Sequence, residues 1–304
     1  MDSIRSICVV GSGFMGWQIG LQCASYAYPV LIYDIYKEAL IRAYGNISSE
    51  LDSRILKGVL TVEEKDSILS RISMSENLSA VSGGDLVIEA TTERLEIKRK
   101  VFRDLDSICN RDTILATNSS SIRVSKIESV TSRGDRVLNT HFYSNPWSSK
   151  IVELMRGTIT SDETINRTRD FMISIGMIPL TVLKESTGFI FNRVWRSVKK
   201  ESLRLVDDGV ATFEDVDRAW MSLYERNMGP FGMMDQVGLD VVKDIEMVYY
   251  EESGDPRDAP PRLLLDKVEK GMLGVKTGKG FYTYPNPAFR EPGWLYKGAK
   301  YSSN

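Results

Sequence analysis

Short apolar runs alternate with segments of helical periodicity through the first half of the chain. The apolar runs have the length of buried strands, and they occupy residues 6–10, 30–34, 85–90, 113–117 and 136–142. Apolar side chains recur every three or four positions over residues 95–108, which predicts an amphipathic helix. Another helix is expected over residues 61–72, where Thr61 and Glu64 have the spacing of a capping box. Strands that alternate with helices predict an α/β fold with a parallel sheet covered on both faces.

The pattern changes near Lys184. Beyond residues 186–194, long amphipathic helical stretches follow with almost no strand pattern. We therefore place a domain boundary at 184/185. Residues 1–184 are predicted to form the α/β domain, and residues 185–304 are predicted to form an all-α domain.

Composition narrows the class of protein. Of the 304 residues, 42% are hydrophobic and 26% are charged, as in ordinary globular proteins. The formal net charge of −2, with no basic run, argues against a nucleic-acid partner. No signal peptide is expected at the N-terminus, and no run of about 20 apolar residues is present to span a bilayer. We therefore expect a cytoplasmic protein with no membrane partner.

The three cysteines, Cys8, Cys23 and Cys109, are far apart, and none has the spacing of a metal ligand. The single histidine, His141, adds nothing to a metal site. We expect three buried, reduced thiols and no bound metal.

A glycine-rich turn follows the first predicted strand and opens a helix. Gly11, Gly13 and Gly16 form a G-x-G-x-x-G pattern, which Phe14 and Met15 complete. In dinucleotide-binding sheets the first glycine allows a tight turn, the second lets the backbone approach a pyrophosphate, and the third lets helix and strand pack closely. The unpaired N–H groups of the helix start would face the phosphates. The turn therefore predicts a Rossmann-like, doubly wound sheet that binds a dinucleotide.

Asp34 ends the second predicted strand, about twenty residues after the turn. A carboxylate there can accept hydrogen bonds from the ribose hydroxyls of adenosine and would repel a 2′-phosphate, which favours NAD over NADP. Trp17, directly after the third glycine, is larger than the turn requires. It either packs against the second domain or narrows the nicotinamide or substrate end of the cleft.

His141 ends a strand-like run, at the sheet edge where open α/β sheets bind ligands. Glu153 lies twelve residues further on, in the next strand-like run. If these runs are adjacent antiparallel strands, the carboxylate can orient the imidazole and fix its tautomer. Such a pair suits a general base, although a structural histidine beside a surface glutamate has the same spacing.

Other polar residues follow strand ends. Residues 116–122 form a polar run, in which the serines could reach the same sheet edge or act as turn and cap residues. Glu93 lies in another strand-end loop, where it could contact the nicotinamide ribose or remain a solvated charge. Lys98, on the next predicted helix, has the same two interpretations. Asn192 is a polar residue in a mostly apolar segment at the predicted domain junction.

Together these motifs resemble the L-3-hydroxyacyl-CoA dehydrogenases, in particular the short 3-hydroxybutyryl-CoA dehydrogenase type. The resemblance covers nearly the whole chain, and several of its motifs are specific to the family. It is carried by GSGFMG, DLVIEATTERLEIKRKVFRDLD, ILATNSSSI, HF…NP…KIVEL, GFIFNRV, MGPFGMMDQVGLDV and GVKTGKGFYTY. It implies NAD-dependent oxidation of a 3-hydroxyacyl-CoA to the 3-ketoacyl-CoA, and the reverse. It also implies a homodimer formed through residues 185–304.

Carried over by position, the resemblance implies a role for each matching residue. His141 and Glu153 would form the catalytic pair, in which the imidazole takes the hydroxyl proton as hydride leaves C3 for the nicotinamide. Ser120 would contact the substrate hydroxyl, and Asn192 would help to position the acyl carbonyl. The further cofactor contacts would be made by Glu93, Lys98 and Asn118.

The chain departs from the family pattern in the loop after the histidine. The family's His-Phe-Phe-Asn-Pro stretch is replaced by residues 141–146, so Asn145, a candidate substrate contact, is displaced by one position. Trp147 adds bulk beside the predicted acyl group. A separate departure is Gly232, which stands where a glutamate is usual.

The segment that resembles the CoA-contacting helix, residues 48–60, contains few lysines. Arg54 and Lys57 are its candidate partners for the CoA phosphates, or else part of a solvated helix face. These departures leave open the alternative that the chain is a dehydrogenase of a free 3-hydroxy acid, of the gulonate or carnitine type. A third alternative is an NAD-binding protein without catalysis, but that would require a broken catalytic set.

Overall fold

The computed structural model describes residues 3–297, which divide into two compact units. The first unit ends at Ile190 and the second begins at Phe191. The boundary predicted at 184/185 falls earlier in the chain and stays a prediction. Positions 1–2 of the first predicted domain and 298–304 of the second lie outside the described residues.

One eight-stranded sheet forms the centre of the first unit. Its strands are β1 (Ile7–Val10), β2 (Val30–Tyr33), β3 (Ile72–Ser75), β4 (Leu86–Glu89), β5 (Ile114–Thr117), β6 (Val137–Phe142), β7 (Ile151–Arg156) and β8 (Ile178–Val182). Their order across the sheet is β3-β2-β1-β4-β5-β6-β7-β8. Neighbouring strands are parallel except β6 and β7, which are antiparallel.

Helices cover both faces of this sheet. They are α1 (Gly16–Ser25), α2 (Lys37–Leu56), α3 (Val62–Leu69), α4 (Leu95–Ile108), α5 (Ser125–Glu128), α6 (Pro146–Ser149) and α7 (Asp162–Ser174). Alternate residues of β1 enter different cores: Ile7 and Val9 pack with α1 and α2, whereas Cys8 and Val10 pack with α4. The sheet is therefore doubly wound, and the predicted fold class is confirmed for this unit.

The strand order reverses between β1 and β4, which are neighbours in the sheet. In open α/β sheets, ligands bind in the crevice outside the carboxyl ends of the strands at such a switch point. The glycine-rich turn follows β1 and therefore lies at this position.

Two strands were not expected from the sequence, and both are edge strands. None of the four residues of β3 is fully buried. β8 contains Pro179, and only its Val182 is fully buried. Edge strands can tolerate proline and need no continuous apolar run, because one side lacks a neighbouring strand.

The second unit is helical over its described residues. Its helices are α8 (Phe191–Asp207), α9 (Phe213–Leu223), α10 (Pro230–Val237), α11 (Leu239–Ser253) and α12 (Arg262–Glu269). Buried Asp217 links α9 to α10, since it accepts hydrogen bonds from the N–H groups of Phe231 and Gly232 at 2.8 and 3.1 Å. A Cβ on Gly232 would lie 2.7 Å from Cγ of Met228, so a larger residue at this position would require the methionine side chain to move.

All three cysteines are buried and free, as predicted. Within residues 3–297, no cluster of three or more His, Cys, Asp or Glu side chains could hold a metal ion. Over the same residues, no helix combines the length and the apolar character needed to cross a bilayer.

Candidate active site

The glycine-rich turn has the geometry that a dinucleotide requires. A Cβ on Gly16 would lie 1.8 Å from the carbonyl oxygen of Gly11, which itself has φ +99°. A Cβ on Gly13, by contrast, would meet no atom within 4 Å. The first and third glycines are thus required by the fold, whereas the second leaves open space beside the backbone. α1 starts next to that space with no acidic residue in its first turn, so its N-terminus suits a phosphate.

Asp34 is fixed beside this turn. Its Oδ2 accepts hydrogen bonds from the N–H and the hydroxyl of Ser12, both at 2.8 Å, and its Oδ1 accepts from the N–H of Tyr36 at 3.1 Å. In the turn itself Phe14 is 70% exposed, while Met15 packs against the core. The carboxylate and the open space at the second glycine therefore fit the adenosine and pyrophosphate parts of NAD.

His141 and Glu153 face each other across the antiparallel pair β6 and β7. Nδ1 of the imidazole lies 3.0 Å from Oε2 of the carboxylate, and both side chains are buried. The other carboxylate oxygen accepts a hydrogen bond from the N–H of Ile190 at 2.9 Å. Phe189 stacks on the imidazole, with ring centroids 4.8 Å apart. The antiparallel register therefore brings His141 and Glu153 together. Their spacing in the sequence alone was equally compatible with a purely structural histidine.

Tyr143 also belongs to this arrangement, although no site role was predicted for it from the sequence. Its hydroxyl donates a hydrogen bond to Oε2 of Glu153 at 2.8 Å, and its ring centroid lies 4.7 Å from that of His141. The only indication in the sequence was a tyrosine at a phenylalanine position of the family pattern.

The polar run after β5 is tied to the strands on both sides. Asn118 Oδ1 accepts a hydrogen bond from the N–H of Phe142 at 2.8 Å, so this amide fixes the backbone directly after the histidine. The hydroxyl of Ser119 donates to Glu93, and Ser121 donates to the same carboxylate oxygen through its N–H at 3.0 Å and its hydroxyl at 2.8 Å. Ser120 lies exposed between these two anchored serines.

Lys98 is buried rather than open to solvent, with 1% of its surface exposed. Its ammonium binds both carboxylate oxygens of Glu89, at 2.9 and 3.0 Å, and lies 3.3 Å from Glu93. Burial opposes the ionisation of Glu93, but the hydrogen bond from Ser119 and the charge of Lys98 outweigh it and lower the pKa of this carboxyl. Lys98 therefore orients Glu93, and its predicted contact with the cofactor stays a prediction. Glu89, the main partner of this lysine, was not predicted from the sequence.

The loop that departs from the family pattern after His141 is hydrogen-bonded to the helix that follows the glycine-rich turn. Asn145 has a left-handed backbone, with φ 54°, and its N–H donates to Gln18 Oε1 at 2.6 Å. Gln18 in turn donates to the carbonyl of Phe14 at 2.7 Å. The side chain of Trp147 packs on Trp17, with ring centroids 6.0 Å apart. Within the first unit, the two unexpected tryptophans are therefore neighbours.

Arg54 and Lys57 lie at the end of α2 in different environments. The guanidinium of Arg54 stacks over the ring of Trp147, 4.5 Å from its centroid, and its Nε binds Glu50 at 3.0 Å. Lys57 is exposed directly after the helix. Asn192 is the second residue of α8, in the second unit, and its proposed role stays a prediction.

Residues 6–186 match the NAD binding domain of the 3-hydroxyacyl-CoA dehydrogenases, and residues 188–284 match their C-terminal domain. This chain belongs to the 3-hydroxyacyl-CoA dehydrogenase family. The resemblance found in the sequence is thereby confirmed, and so are the cofactor, NAD, and the enzyme class, an oxidoreductase of this family.

Three relatives illustrate the range of the similarity. The 3-hydroxybutyryl-CoA dehydrogenase of Clostridioides difficile is 36% identical over 278 residues, which cover 91% of this chain and 99% of that protein. The crystal structure of (S)-3-hydroxybutyryl-CoA dehydrogenase from Ralstonia eutropha has a TM-score of 0.88 and 36% identity, covering 93% of this chain and 100% of that one. The 5-formyl-3-hydroxy-2-methylpyridine 4-carboxylate 5-dehydrogenase of Mesorhizobium japonicum is 30% identical over 285 residues, with coverage of 92% and 91%.

Proposed function

We propose that this chain oxidises an L-3-hydroxyacyl-CoA, such as 3-hydroxybutyryl-CoA, to the 3-ketoacyl-CoA and also catalyses the reverse reaction. The observation that carries the proposal is the buried His141–Glu153 contact of 3.0 Å, at the strand ends of a chain from this family. The names of the Clostridioides and Ralstonia relatives support the choice of substrate.

The chemistry assigned to the pair is proton transfer. Because Nδ1 of His141 is held by Glu153, Nε2 is the nitrogen that takes the proton from the 3-hydroxyl. Glu153 stabilises the imidazolium that forms and keeps the ring oriented, while stacked Phe189 limits its rotation. NAD, when bound at the glycine-rich turn and Asp34, supplies the hydride acceptor.

The surrounding contacts prepare this site for the substrate. Asn118 fixes the backbone at Phe142, and Glu93 fixes the serines on both sides of Ser120. We assign the hydroxyl of Ser120 to the substrate hydroxyl. Asn192 is assigned to the acyl carbonyl, and Asn145 to the region of the acyl chain. These donors would hold the reacting carbon in place as its charge changes.

The test is the oxidation of NADH by the purified chain with acetoacetyl-CoA. We expect turnover by the wild type, and a loss of at least about 100-fold in kcat for His141→Ala, because general acid–base catalysis typically contributes that much. The affinity for NAD should be unchanged in the variant. A folded wild type that binds NAD without any turnover would contradict the proposal and favour a non-catalytic NAD-binding protein.

A second candidate is the oxidation of a free 3-hydroxy acid. Arg54, a predicted phosphate contact, is already paired with Glu50 and stacked on Trp147, which leaves exposed Lys57 as the more accessible cation of this segment. The Mesorhizobium relative is named for a pyridine carboxylate. Activity on free 3-hydroxy acids with none on acyl-CoA esters would decide for this candidate. If the chain does turn over CoA esters, equal KM values for wild type and Lys57→Ala would remove only Lys57 from the predicted CoA contacts.

A further inference from the structure

Glu153 receives two side-chain donors on one oxygen. Oε2 lies 3.0 Å from Nδ1 of His141 and accepts a hydrogen bond from the hydroxyl of Tyr143 at 2.8 Å. Oε1 accepts from the N–H of Ile190 at 2.9 Å. Since Glu153 is fully buried, its charge is screened by these contacts rather than by bulk water.

The hydroxyl of Tyr143 is a constant donor. Burial, followed by the charge of Glu153 and the hydrogen bond to it, raises the pKa of Tyr143 well above its ordinary value. The phenol therefore stays protonated over the range in which an imidazole titrates. The family pattern has phenylalanine at this position, so the hydroxyl is an addition that the family reaction does not require.

We infer that Tyr143 is a positioning residue that shares the charge of Glu153 with His141 and thereby sets the pH range in which the imidazole is available as a base. This inference rests on the function proposed for His141. A carboxylate that accepts a hydrogen bond from a neutral hydroxyl stabilises a neighbouring imidazolium less strongly. With the hydroxyl present, the neutral imidazole persists to lower pH, and oxidation of the hydroxyl substrate extends to lower pH with it.

Other charged groups on the elements packed around the pair have partners of their own. Lys98 binds Glu89 and Glu93, Glu185 accepts from Ser125, Arg123 donates to Thr187, Arg156 pairs with Asp162, and Arg167 lies near Glu163. Lys150 and Lys184 are exposed. None of these groups changes when only the hydroxyl of Tyr143 is removed, so a comparison of two variants isolates its effect.

The single histidine makes the test direct. His141 is the only histidine among 304 residues, so a tag-free protein with isotope-labelled histidine gives one imidazole signal by NMR. In Tyr143→Phe the ring is kept and only the hydroxyl is lost. We expect the pH midpoint of this signal to rise, because the hydroxyl no longer competes with the imidazole for the carboxylate. The acidic limb of kcat/KM for hydroxyacyl-CoA oxidation should move upward by the same amount.

Tyr28→Phe is the matched control, because the hydroxyl of Tyr28 makes a hydrogen bond of 2.7 Å to Ser174 and its ring packs edge-on against Phe171. It should leave the midpoint unchanged. In a Glu153→Gln background, Tyr143→Phe should also leave the midpoint unchanged, because the shared charge is gone.

An unchanged midpoint in Tyr143→Phe would overturn the inference. A shift of the same size in the Glu153→Gln background would contradict the claim that Tyr143 acts on His141 through Glu153. These outcomes are separate from the proposed function: the expected shift in Tyr143→Phe, together with no turnover of acyl-CoA by the wild type, would remove only the catalytic assignment. Turnover without the shift would remove only the role of Tyr143.

Discussion

The ammonium of Lys98 lies 2.9 Å from Oε1 and 3.0 Å from Oε2 of Glu89, and both side chains are buried. The hydroxyl of Thr117 donates to the same carboxylate at 2.7 Å. An ion pair of this kind is weak evidence for net stability, but removal of one partner leaves a buried charge uncompensated. The pair therefore anchors α4 to the end of β4, next to the loop that carries Glu93.

Lys98→Met should lower the free energy of unfolding by about 3–5 kcal/mol, because Glu89 would remain buried without its counter-charge. Urea denaturation measures this change. Lys100→Met is the matched control on the same helix, since Lys100 is 73% exposed in its pair with Asp104. The control should leave the free energy of unfolding nearly unchanged, because water screens this exposed pair. Similar losses in both variants would contradict the anchoring role of the buried pair.

The roles of the second and third glycines of the turn can be separated by adding one methyl group at each position. Gly16→Ala should destabilise the fold by about 1–3 kcal/mol, since its Cβ would overlap the carbonyl of Gly11. Gly13→Ala should leave the thermal midpoint unchanged and weaken NAD binding, because its Cβ would enter open space. Calorimetric titration with NAD and thermal melts of both variants check this. Full NAD affinity in Gly13→Ala would show that the cofactor does not use this space.

Asp217 makes the stability of the second unit depend on pH. Burial outweighs the hydrogen bonds from Phe231, Gly232 and Tyr282 and raises the pKa of this carboxyl to about 6. The unfolded chain has the ordinary value of about 3.9, so between about pH 4 and pH 6 the folded state binds the proton that the unfolded state has lost. The contribution of Asp217 to stability is therefore greatest below that window and decreases as pH rises through it, by on the order of 2–3 kcal/mol.

The comparison of wild type with Asp217→Asn, by urea denaturation at a series of pH values, isolates this group. The difference in the free energy of unfolding should change across the window from pH 4 to pH 6 and be constant above it. A difference that is constant throughout would contradict the raised pKa.

The predicted homodimer can be tested on α11. Val241, Ile245 and Val248 recur on one side of this helix and are 41%, 37% and 46% exposed. If residues 185–304 form the interface through this stripe, Ile245→Asp should convert a dimer into a monomer, because an unpaired carboxylate would be buried at the contact. Light scattering after gel filtration measures the mass. Asp244→Ala, next to the stripe, should leave the mass unchanged, and a dimeric Ile245→Asp would place the interface elsewhere.

The sequence by itself determined the features that are local in the chain. The glycine-rich turn and Asp34 could be recognised because a tight turn, a close helix–strand contact and a strand end each require a residue type at a short, definite spacing. The central strands could be recognised because burial on both faces makes them continuously apolar. Thr61 and Glu64 form the predicted capping box for the same reason, since both partners lie within one helical turn.

The tertiary structure alone decided which distant residues meet. The spacing of His141 and Glu153 allowed a contact, but only the antiparallel register of β6 and β7 brings them face to face. Tyr143 reaches the same carboxylate, and Trp17 meets Trp147, through packing that no period in the sequence encodes. The edge strands β3 and β8 were missed because half-exposed strands need no apolar run. Local geometry can therefore be predicted from residue spacing, whereas the partners of a buried charge depend on strand order and register.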